Sequence, residues 1–187
     1  MKKLILFLTI ITLSFSCSSD SNNSNNNNNS VDPACQSQDF VTKFNSIPNN
    51  ATYNDIKAVF NGVDGDNYRN DQIGNSVLRF YKWYPCSDHN YYVDFWLFDN
   101  TTLLTKNRTI YDYSNSSNNV TSTSFSLLAN GMSYNQIKTI LNCDGDNYRV
   151  DVDTNIYYYR FYNSNDTSKY IDAWIKNGGA ILLQKNL

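Results

Sequence analysis

The sequence predicts an α+β fold made of two tandem repeats, each with two helices followed by four strands. The hexapeptide DGDNYR occurs twice, at residues 64–69 and 144–149. Segments around it match in an unchanged order at a period of ~80 residues, which is the mark of a tandem duplication. In each copy, helix-like spacing of apolar residues comes before the hexapeptide and strand-like alternation follows it. The predicted boundaries are 35–113 for repeat 1, 114–121 for a linker and 122–187 for repeat 2.

The matched segments extend well beyond the hexapeptide. Four pairs carry the alignment: ATYNDIKAVFNGV with MSYNQIKTILNC directly before DGDNYR, FNSIPNNA (44–51) with FSLLANGM (125–132), LRFY (78–81) with YRFY (159–162), and YVDFWLFDN (92–100) with YIDAWIKNG (170–178). We therefore expect both repeats to share one fold.

Each repeat should begin with a short helix and continue with a longer one. The short helices are predicted over 39–46 and 122–129. Thr52 and Ser133 stand where an N-cap is expected for the longer helices. Apolar residues then recur on one helical face, at Ile56, Val59 and Phe60 and at Ile137, Ile140 and Leu141. Asn61-Gly62 ends the first long helix, and Asp-Gly of the hexapeptide makes a turn.

Alternation in the strands predicts which side chains face the helices. An apolar face packs on the helices and the other face is left open. The helix-facing residues are predicted to be Leu78, Phe80, Val93, Phe95, Leu97, Tyr159, Phe161, Ile171, Ala173 and Ile175. The opposite face would then carry three tryptophans, several tyrosines, and the cross-strand pairs Arg79–Asp94 and Arg160–Asp172.

The N-terminal residues predict export and a membrane anchor. Residues 1–17 contain two lysines, an apolar run too short to span a bilayer, and Cys17. This resembles a bacterial lipoprotein signal with acylation of Cys17, although an ordinary secretory peptide would also fit. Residues 18–34 are rich in Asn and Ser and predict a disordered tether. The expected location is the bacterial cell envelope, on the outer membrane, with the membrane bound through the lipid.

Net charge and cysteine content bear on nucleic-acid binding, disulfide formation and metal binding. A formal net charge of −2 gives no electrostatic case for nucleic acid. In an oxidising compartment we expect one disulfide, and Cys35–Cys86 is the favoured pair. The cysteine spacings fit no zinc site, and DGDNYR has arginine at the sixth position where a calcium loop needs glycine. No metal and no cofactor are therefore predicted.

The chain resembles the β-lactamase inhibitory protein family and small outer-membrane lipoproteins of the SmpA/OmlA type. The resemblance rests on Asn-Gly-Met-Ser-Tyr-x-Gln-Ile at 130–137, an aromatic strand, and Tyr-x-Asp-x-Trp before a final strand. It implies one long, curved antiparallel sheet with the helices on its convex face and a target enzyme held on the concave face. In the inhibitors, an aspartate followed by tyrosines enters the enzyme. Here Asp88 precedes Tyr91 and Tyr92 with two residues between.

These observations predict a non-catalytic lipoprotein that binds a protein partner through an aromatic sheet face. Aromatic residues with interleaved arginine are typical of interface hot spots. The candidate partner-binding residues are Arg79, Tyr81, Trp83, Asp88, Tyr91, Tyr92, Asp94, Trp96, Arg160, Tyr162, Tyr170, Asp172 and Trp174.

Two alternatives stay open at this point. One is an accessory subunit of an outer-membrane assembly machine. The other is a glycan-active enzyme, because Asp94 and Asp172 share a predicted face. His89 and Cys86 lie in one loop without an orienting third group, so a nucleophile and base are not predicted there, and the chain is not expected to be an enzyme.

Overall fold

The computed structural model describes Cys35 and residues 37–187. The signal peptide, the acylated Cys17 and the tether were predicted for residues outside this range, and they stay predictions. Within the described residues, no helix is both long enough and apolar enough to cross a membrane.

The α+β class is confirmed, because the described residues form an eight-stranded antiparallel sheet and four α-helices. Its strands lie in sequence order, each paired with the next. The elements are α1 (Gln38–Ser46), α2 (Tyr53–Val59), β1 (Asp66–Ile73), β2 (Ser76–Trp83), β3 (Val93–Phe98), β4 (Thr102–Arg108), α3 (Ser122–Phe125), α4 (Tyr134–Leu141), β5 (Asp146–Asp151), β6 (Ile156–Tyr162), β7 (Tyr170–Lys176) and β8 (Gly179–Asn186). We call residues 37–108 the first half and 122–187 the second half.

The longer helices begin at the predicted caps. Thr52 accepts from the Asp55 N–H, and the Asp55 carboxylate accepts from the Thr52 N–H at 2.9 Å. Ser133 and Gln136 make the same reciprocal capping box. The helix over 122–129 is shorter than predicted and ends at Phe125. Its Ser/Thr-rich sequence explains this, because hydroxyl side chains compete for backbone groups inside a helix.

One hydrophobic cluster per half fills the space between the helices and the sheet. In the first half, Phe44, Ile56 and Phe60 pack on β2 and β3. In the second, Ile137 and Leu141 pack on β6 and β7. The helix-facing residues predicted for β3, β6 and β7 lie in these clusters: Val93, Phe95, Leu97, Tyr159, Phe161, Ile171, Ala173 and Ile175.

The facing predicted for β2 is wrong. Tyr81 and Trp83 belong to the core and are 6% and 4% exposed. Phe80 instead faces away from the helices and pairs with Trp96, while Arg79 pairs with Leu97 on the helix side. Leu78, which pairs with Phe98, shares the face of Phe80. The predicted pair Arg79–Asp94 therefore does not form.

A sequence match in the wrong register causes this error. Asp66 pairs with Lys82, sixteen residues later, whereas Asp146 pairs with Arg160, fourteen residues later. The counterpart of Arg160 is thus Lys82, not Arg79, and the match of LRFY with YRFY was three residues out of register. An odd offset turns every side chain of a strand to the opposite face.

The glycine of each hexapeptide lies against an aromatic ring, which belongs to β2 in the first half and to β6 in the second. A Cβ on Gly65 would come within 2.6 Å of the Trp83 ring, and one on Gly145 within 2.7 Å of Phe161. Gly145 also has a φ of +66°, which other residues rarely adopt. Two residues further on, a register shift in β1 and β5 brackets Tyr68 and Tyr148. The repeated sequence is thus a turn followed by a β-bulge.

Candidate functional site

The sheet face opposite the helices, which we call the open face, carries matched aromatic and charged side chains in both halves. Strand register puts Phe80 beside Trp96 and Lys82 beside Asp94. The second half places Tyr158 beside Trp174 and Arg160 beside Asp172. The open face comprises Tyr68, Phe80, Lys82, Tyr92, Asp94 and Trp96 from the first half, and Tyr148, Tyr158, Arg160, Tyr162, Tyr170, Asp172 and Trp174 from the second.

The rings of the open face pack on one another within each half. Phe80 meets the edge of Trp96 at a centroid distance of 5.1 Å and lies 6.0 Å from Tyr68. Tyr158 lies 5.0 Å from Trp174 in the second half. Tilted and edge-on contacts of this kind stabilise aromatic pairs beyond the area they bury. The rings are therefore held in defined positions.

Cationic side chains lie over these rings. The Lys82 ammonium is 4.5 Å from the Tyr68 centroid and 3.9 Å from that of Tyr92. The Arg160 guanidinium is 3.8 Å from Tyr170 and 5.2 Å from Tyr148. Such contacts are favourable because the ring face carries partial negative charge.

Arg149 joins the two halves of the open face. Its guanidinium lies 5.8 Å from the Trp96 centroid and 5.0 Å from that of Tyr158. It also donates to Asp151 at 2.9 and 3.2 Å, and Arg69 makes the matching pair with Asp71 in the first half. The aromatic and cationic layer is consequently continuous from β1 to β7.

The two matched aspartates have different partners. Asp172 accepts two hydrogen bonds from Arg160, at 2.7 and 2.9 Å, so the predicted pair does form. Asp94 accepts from the Tyr68 hydroxyl at 3.2 Å and from the Trp96 indole N–H at 3.0 Å. Burial raises the pKa of Asp94, and these hydrogen bonds and Lys82 offset only part of that effect.

The loop between β2 and β3 is fixed covalently at its start. Cys35 and Cys86 form a disulfide, the pairing that the cysteine pattern favoured. Asp88 is exposed, and its carboxylate accepts the Asn90 N–H at 3.0 Å. His89 stacks on Tyr84 at 4.1 Å. The loop thus presents Asp88 and Tyr91 at the end of the sheet.

The sequence predicted most residues of the open face but not those that β1, β2, β5 and the start of β6 contribute. Tyr92, Asp94, Trp96, Arg160, Tyr162, Tyr170, Asp172 and Trp174 lie on it, Asp88 and Tyr91 lie in the adjoining loop, and Arg79, Tyr81 and Trp83 lie on the helix side. The members not predicted are Tyr68, Phe80, Lys82, Tyr148 and Tyr158, and Arg149, which joins the two halves of the face, was not predicted either. The tyrosine and arginine of DGDNYR were the available signal, but a bulge cannot be read from alternation.

The arrangement lacks the geometry of the catalytic sites considered. Asp94 and Asp172 lie four strands apart, which is ~19 Å at the usual strand spacing and too far for a glycosidase pair. Cys86 is oxidised, and burial raises the pKa of the free Cys143 thiol to about 11. Over residues 37–187 and Cys35, no three His, Cys, Asp or Glu side chains are grouped to hold a metal ion.

Comparison with solved structures finds a similar fold. A crystal structure from Streptococcus mutans, described as a "putative beta-lactamase inhibitor protein", superposes with a TM-score of 0.58. It is 17% identical in sequence, and the match covers 80% of this chain and 96% of that chain. No protein-family model matches the chain, and no curated protein sequence matches it.

Proposed function

We propose that the chain is a non-catalytic envelope lipoprotein that binds a protein partner through the open face. The observation that carries this proposal is the continuous layer of rings and cations from β1 to β7. Its composition is that of a protein interface, where tryptophan, tyrosine and arginine dominate the binding energy.

The packing of the open face favours binding in a second way. Lys82, Arg149 and Arg160 are already held over rings. Binding of a partner would therefore immobilise few side chains that are mobile in the unbound protein. This reduces the conformational entropy lost on association. Tyr68, at 43% exposure, offers the most accessible ring of the layer.

An inhibitor-like role is the specific form of the proposal. The β2–β3 loop, with Asp88 and Tyr91 beside a disulfide, would enter the partner while the open face holds it. The likeness to the Streptococcus mutans structure supports the fold on which this depends, and no more than the fold. Inhibition of purified β-lactamases, measured with a chromogenic substrate, tests this form directly.

Membrane anchoring and gene duplication complete the proposal. Acylation of Cys17 would hold the domain on the envelope, with residues 18–34 as a tether. Palmitate labelling should be lost in Cys17→Ser, and equal labelling of both proteins would exclude the anchor.

The succession of two helices and four strands, twice, supports an origin by tandem duplication.

Cross-linking in the native envelope, with mass-spectrometric identification, tests the partner. Wild type should enrich one protein, and the double variant Trp96→Ala/Trp174→Ala should lose it. Leu127→Ala is the matched control, because Leu127 is 60% exposed beside α3. Truncating a hot-spot residue costs ~2 kcal/mol or more, roughly thirtyfold in Kd. Recovery of the same protein by the double variant would exclude the open face as the binding site.

The identity of the captured protein separates the two binding functions. A soluble enzyme supports the inhibitor-like form. A subunit of an outer-membrane assembly machine would instead select the accessory-factor alternative, which predicts the same surface with a different occupant.

A further inference from the structure

The outer edge of β1 has no paired strand among the described residues, whereas the matching strand of the second half, β5, is paired on both sides. β5 is paired on one side with β6 and on the other with β4, through Thr105–Asp151, Lys106–Val150 and Asn107–Arg149. β1 is paired with β2 alone among the described strands. Seven of its eight residues are exposed. An unpaired edge presents a row of free backbone donors and acceptors.

The segment that covers β5, which is β4 with the loop after it, also forms a buried ion pair with β5. Directly after the paired residues, Arg108 inserts its guanidinium against Asp146 and also donates to the Asn147 carbonyl at 3.3 Å. The Asp112 N–H donates to Asp146 at 3.0 Å. Both Arg108 and Asp146 are almost fully buried. A strand, an arginine and a following loop thus act as one cover.

Aromatic residues of the same loop close the end of the sheet. Tyr111 lies 6.1 Å from Tyr162 and 6.3 Å from Tyr148, and Tyr113 lies 4.6 Å from Tyr162. Tyr162 is only 3% exposed as a result. The covering segment, residues 102–113, reads TLLTKNRTIYDY.

The matching positions of the first half are open. Asp66, the counterpart of Asp146, is exposed, and its carboxylate accepts only from the Tyr84 hydroxyl, at 3.2 Å, among the described side chains. Asp66 itself lines a cavity of about 330 Å³. The other lining residues are apolar or aromatic (Phe40, Phe60, Val63, Trp83 and Tyr84) and polar or charged (Lys43, Asn61, Asp64 and Lys82). Val63 is 61% exposed at its rim. The first half therefore has the acidic group and aromatic walls, and no described strand covers them.

The sequence before α1 does not repeat the covering residues. The match of 44–51 with 125–132, extended upstream without a gap, sets Asn29, Ser30, Val31 and Asp32 against Ile110–Tyr113. None of these is aromatic, and residues 18–36 contain no arginine or lysine. Residues 18–36 therefore do not repeat the chemistry of the segment that covers β5.

We propose that the outer edge of β1 binds an extended segment of a partner protein, which adds to the sheet as an antiparallel strand. This is β-augmentation, in which backbone hydrogen bonds give affinity and side-chain pockets give specificity. The segment carries a basic residue that reaches Asp66, followed by aliphatic and aromatic residues that fill the cavity at Trp83 and Tyr84. The β4–loop segment on β5 is the template for each of these contacts.

The bulge in β1 is no barrier to this pairing. Bulges and charged residues often protect sheet edges from association. β5 has the same bulge, between Asn147 and Arg149, and still pairs with β4 just beyond it. The equivalent part of β1, Arg69–Asp71, is available in the same way.

A synthetic peptide copying residues 102–113 tests the site. Fluorescence anisotropy with the labelled peptide should show saturable binding to the purified protein. Asp66→Ala should weaken it about tenfold, and so should alanine for the peptide's arginine. The two changes together should cost no more than either alone, because they remove one contact. Amide protection should rise across Asp66–Gln72.

Matched controls make the test specific. Asp166→Ala changes the same charge at an exposed loop of the second half and should leave binding unchanged. Trp96→Ala/Trp174→Ala should also bind normally, which separates this site from the open face. Absence of saturable binding, equal binding of a scrambled peptide, or equal effects of the Asp66 and Asp166 variants would overturn the proposal. A protein dimer that the peptide dissociates would overturn the assignment to a different partner and favour a second copy of this chain.

Discussion

The two copies of DGDNYR differ in their surroundings although their sequences are identical. Asp146 lies in the middle of the sheet, is 4% exposed and pairs with the buried Arg108. Asp66 lies at the sheet edge and faces solvent. Burial raises the pKa of Asp146, with Arg108 opposing it. A repeated motif therefore does not carry one chemistry, because the neighbouring strand decides whether its carboxylate is buried in an ion pair or exposed to solvent.

A second contrast lies on the open face. Arg160 grips Asp172 with two hydrogen bonds, whereas its counterpart Lys82 lies over Tyr68 and Tyr92 and forms no ion pair with Asp94 within 4 Å. A guanidinium presents a planar fork that matches a carboxylate, and an ammonium is a point charge. In the first half, Asp94 is left to a hydroxyl and an indole N–H.

The largest expected difference between the halves comes from the hexapeptide aspartates. Asp146→Ala should lower the free energy of unfolding by ~3–5 kcal/mol, because it leaves Arg108 buried without its partner. Asp66→Ala should change it by less than ~0.5 kcal/mol, as expected for an exposed side chain. Urea unfolding measures both. Replacing Arg108 and Asp146 together with apolar residues should destabilise the protein less than Asp146→Ala alone. Equal losses of unfolding free energy in Asp146→Ala and Asp66→Ala would contradict the difference between the two halves.

The loops after β2 and β6 are held by different means. Cys35–Cys86 ties the first, and backbone hydrogen bonds tie the second, from Ser117 N–H to Tyr162 and from Ser164 N–H to Ser117. Cys35→Ser/Cys86→Ser should destabilise the protein by ~2–4 kcal/mol, since the bond closes a long loop in the unfolded chain. Ser164→Ala, which keeps its backbone pairing, should cost below ~0.5 kcal/mol. Thermal unfolding and amide exchange at 86–91 measure the effect; an unchanged double variant would argue against it.

The open-face aspartates should show the smallest contrast. Asp172→Asn weakens two charged hydrogen bonds and should cost ~1.5–3 kcal/mol. Asp94→Asn relieves a buried charge and keeps an oxygen acceptor, so its effect should stay within ~1 kcal/mol and favour the folded state at neutral pH. Chemical unfolding at pH 7 tests the order of the two variants, which would be refuted if Asp94→Asn were the more damaging.

The pH dependence of Asp94→Asn gives a sharper test. The folded-state pKa of Asp94 lies above its ordinary value of 3.8, because of burial. Between the two values the folded protein holds a proton that the unfolded chain has lost, so the stability from Asp94 falls as pH rises through that window. The advantage of Asp94→Asn over wild type should grow from pH 3 to pH 7. A constant difference would show that Asp94 ionises normally.

Local sequence signals predicted the elements that depend on near neighbours. Thr52 and Ser133 marked their helices, because a capping box needs only four consecutive residues. Alternation predicted the facing of β3 and β7, where Asp94 and Asp172 lie among apolar partners. The face of β2 could not be predicted in this way. Large apolar or aromatic residues lie on both of its faces, Leu78 and Phe80 on one and Tyr81 and Trp83 on the other, so alternation distinguishes neither face.

The sequence by itself determined the order of helices and strands, the starts of α2 and α4, and the facing of β3 and β7. Tertiary structure alone decided the register of β2, the burial of Asp146 and the position of β1 as the first of the described strands in the sheet. The physical reason is the range of the interactions. Caps and alternation arise within a few residues, whereas register follows from hairpin length and burial follows from which strand lies alongside. The aspartate of one hexapeptide thus became part of a buried ion pair, and that of the other lies exposed at the sheet edge.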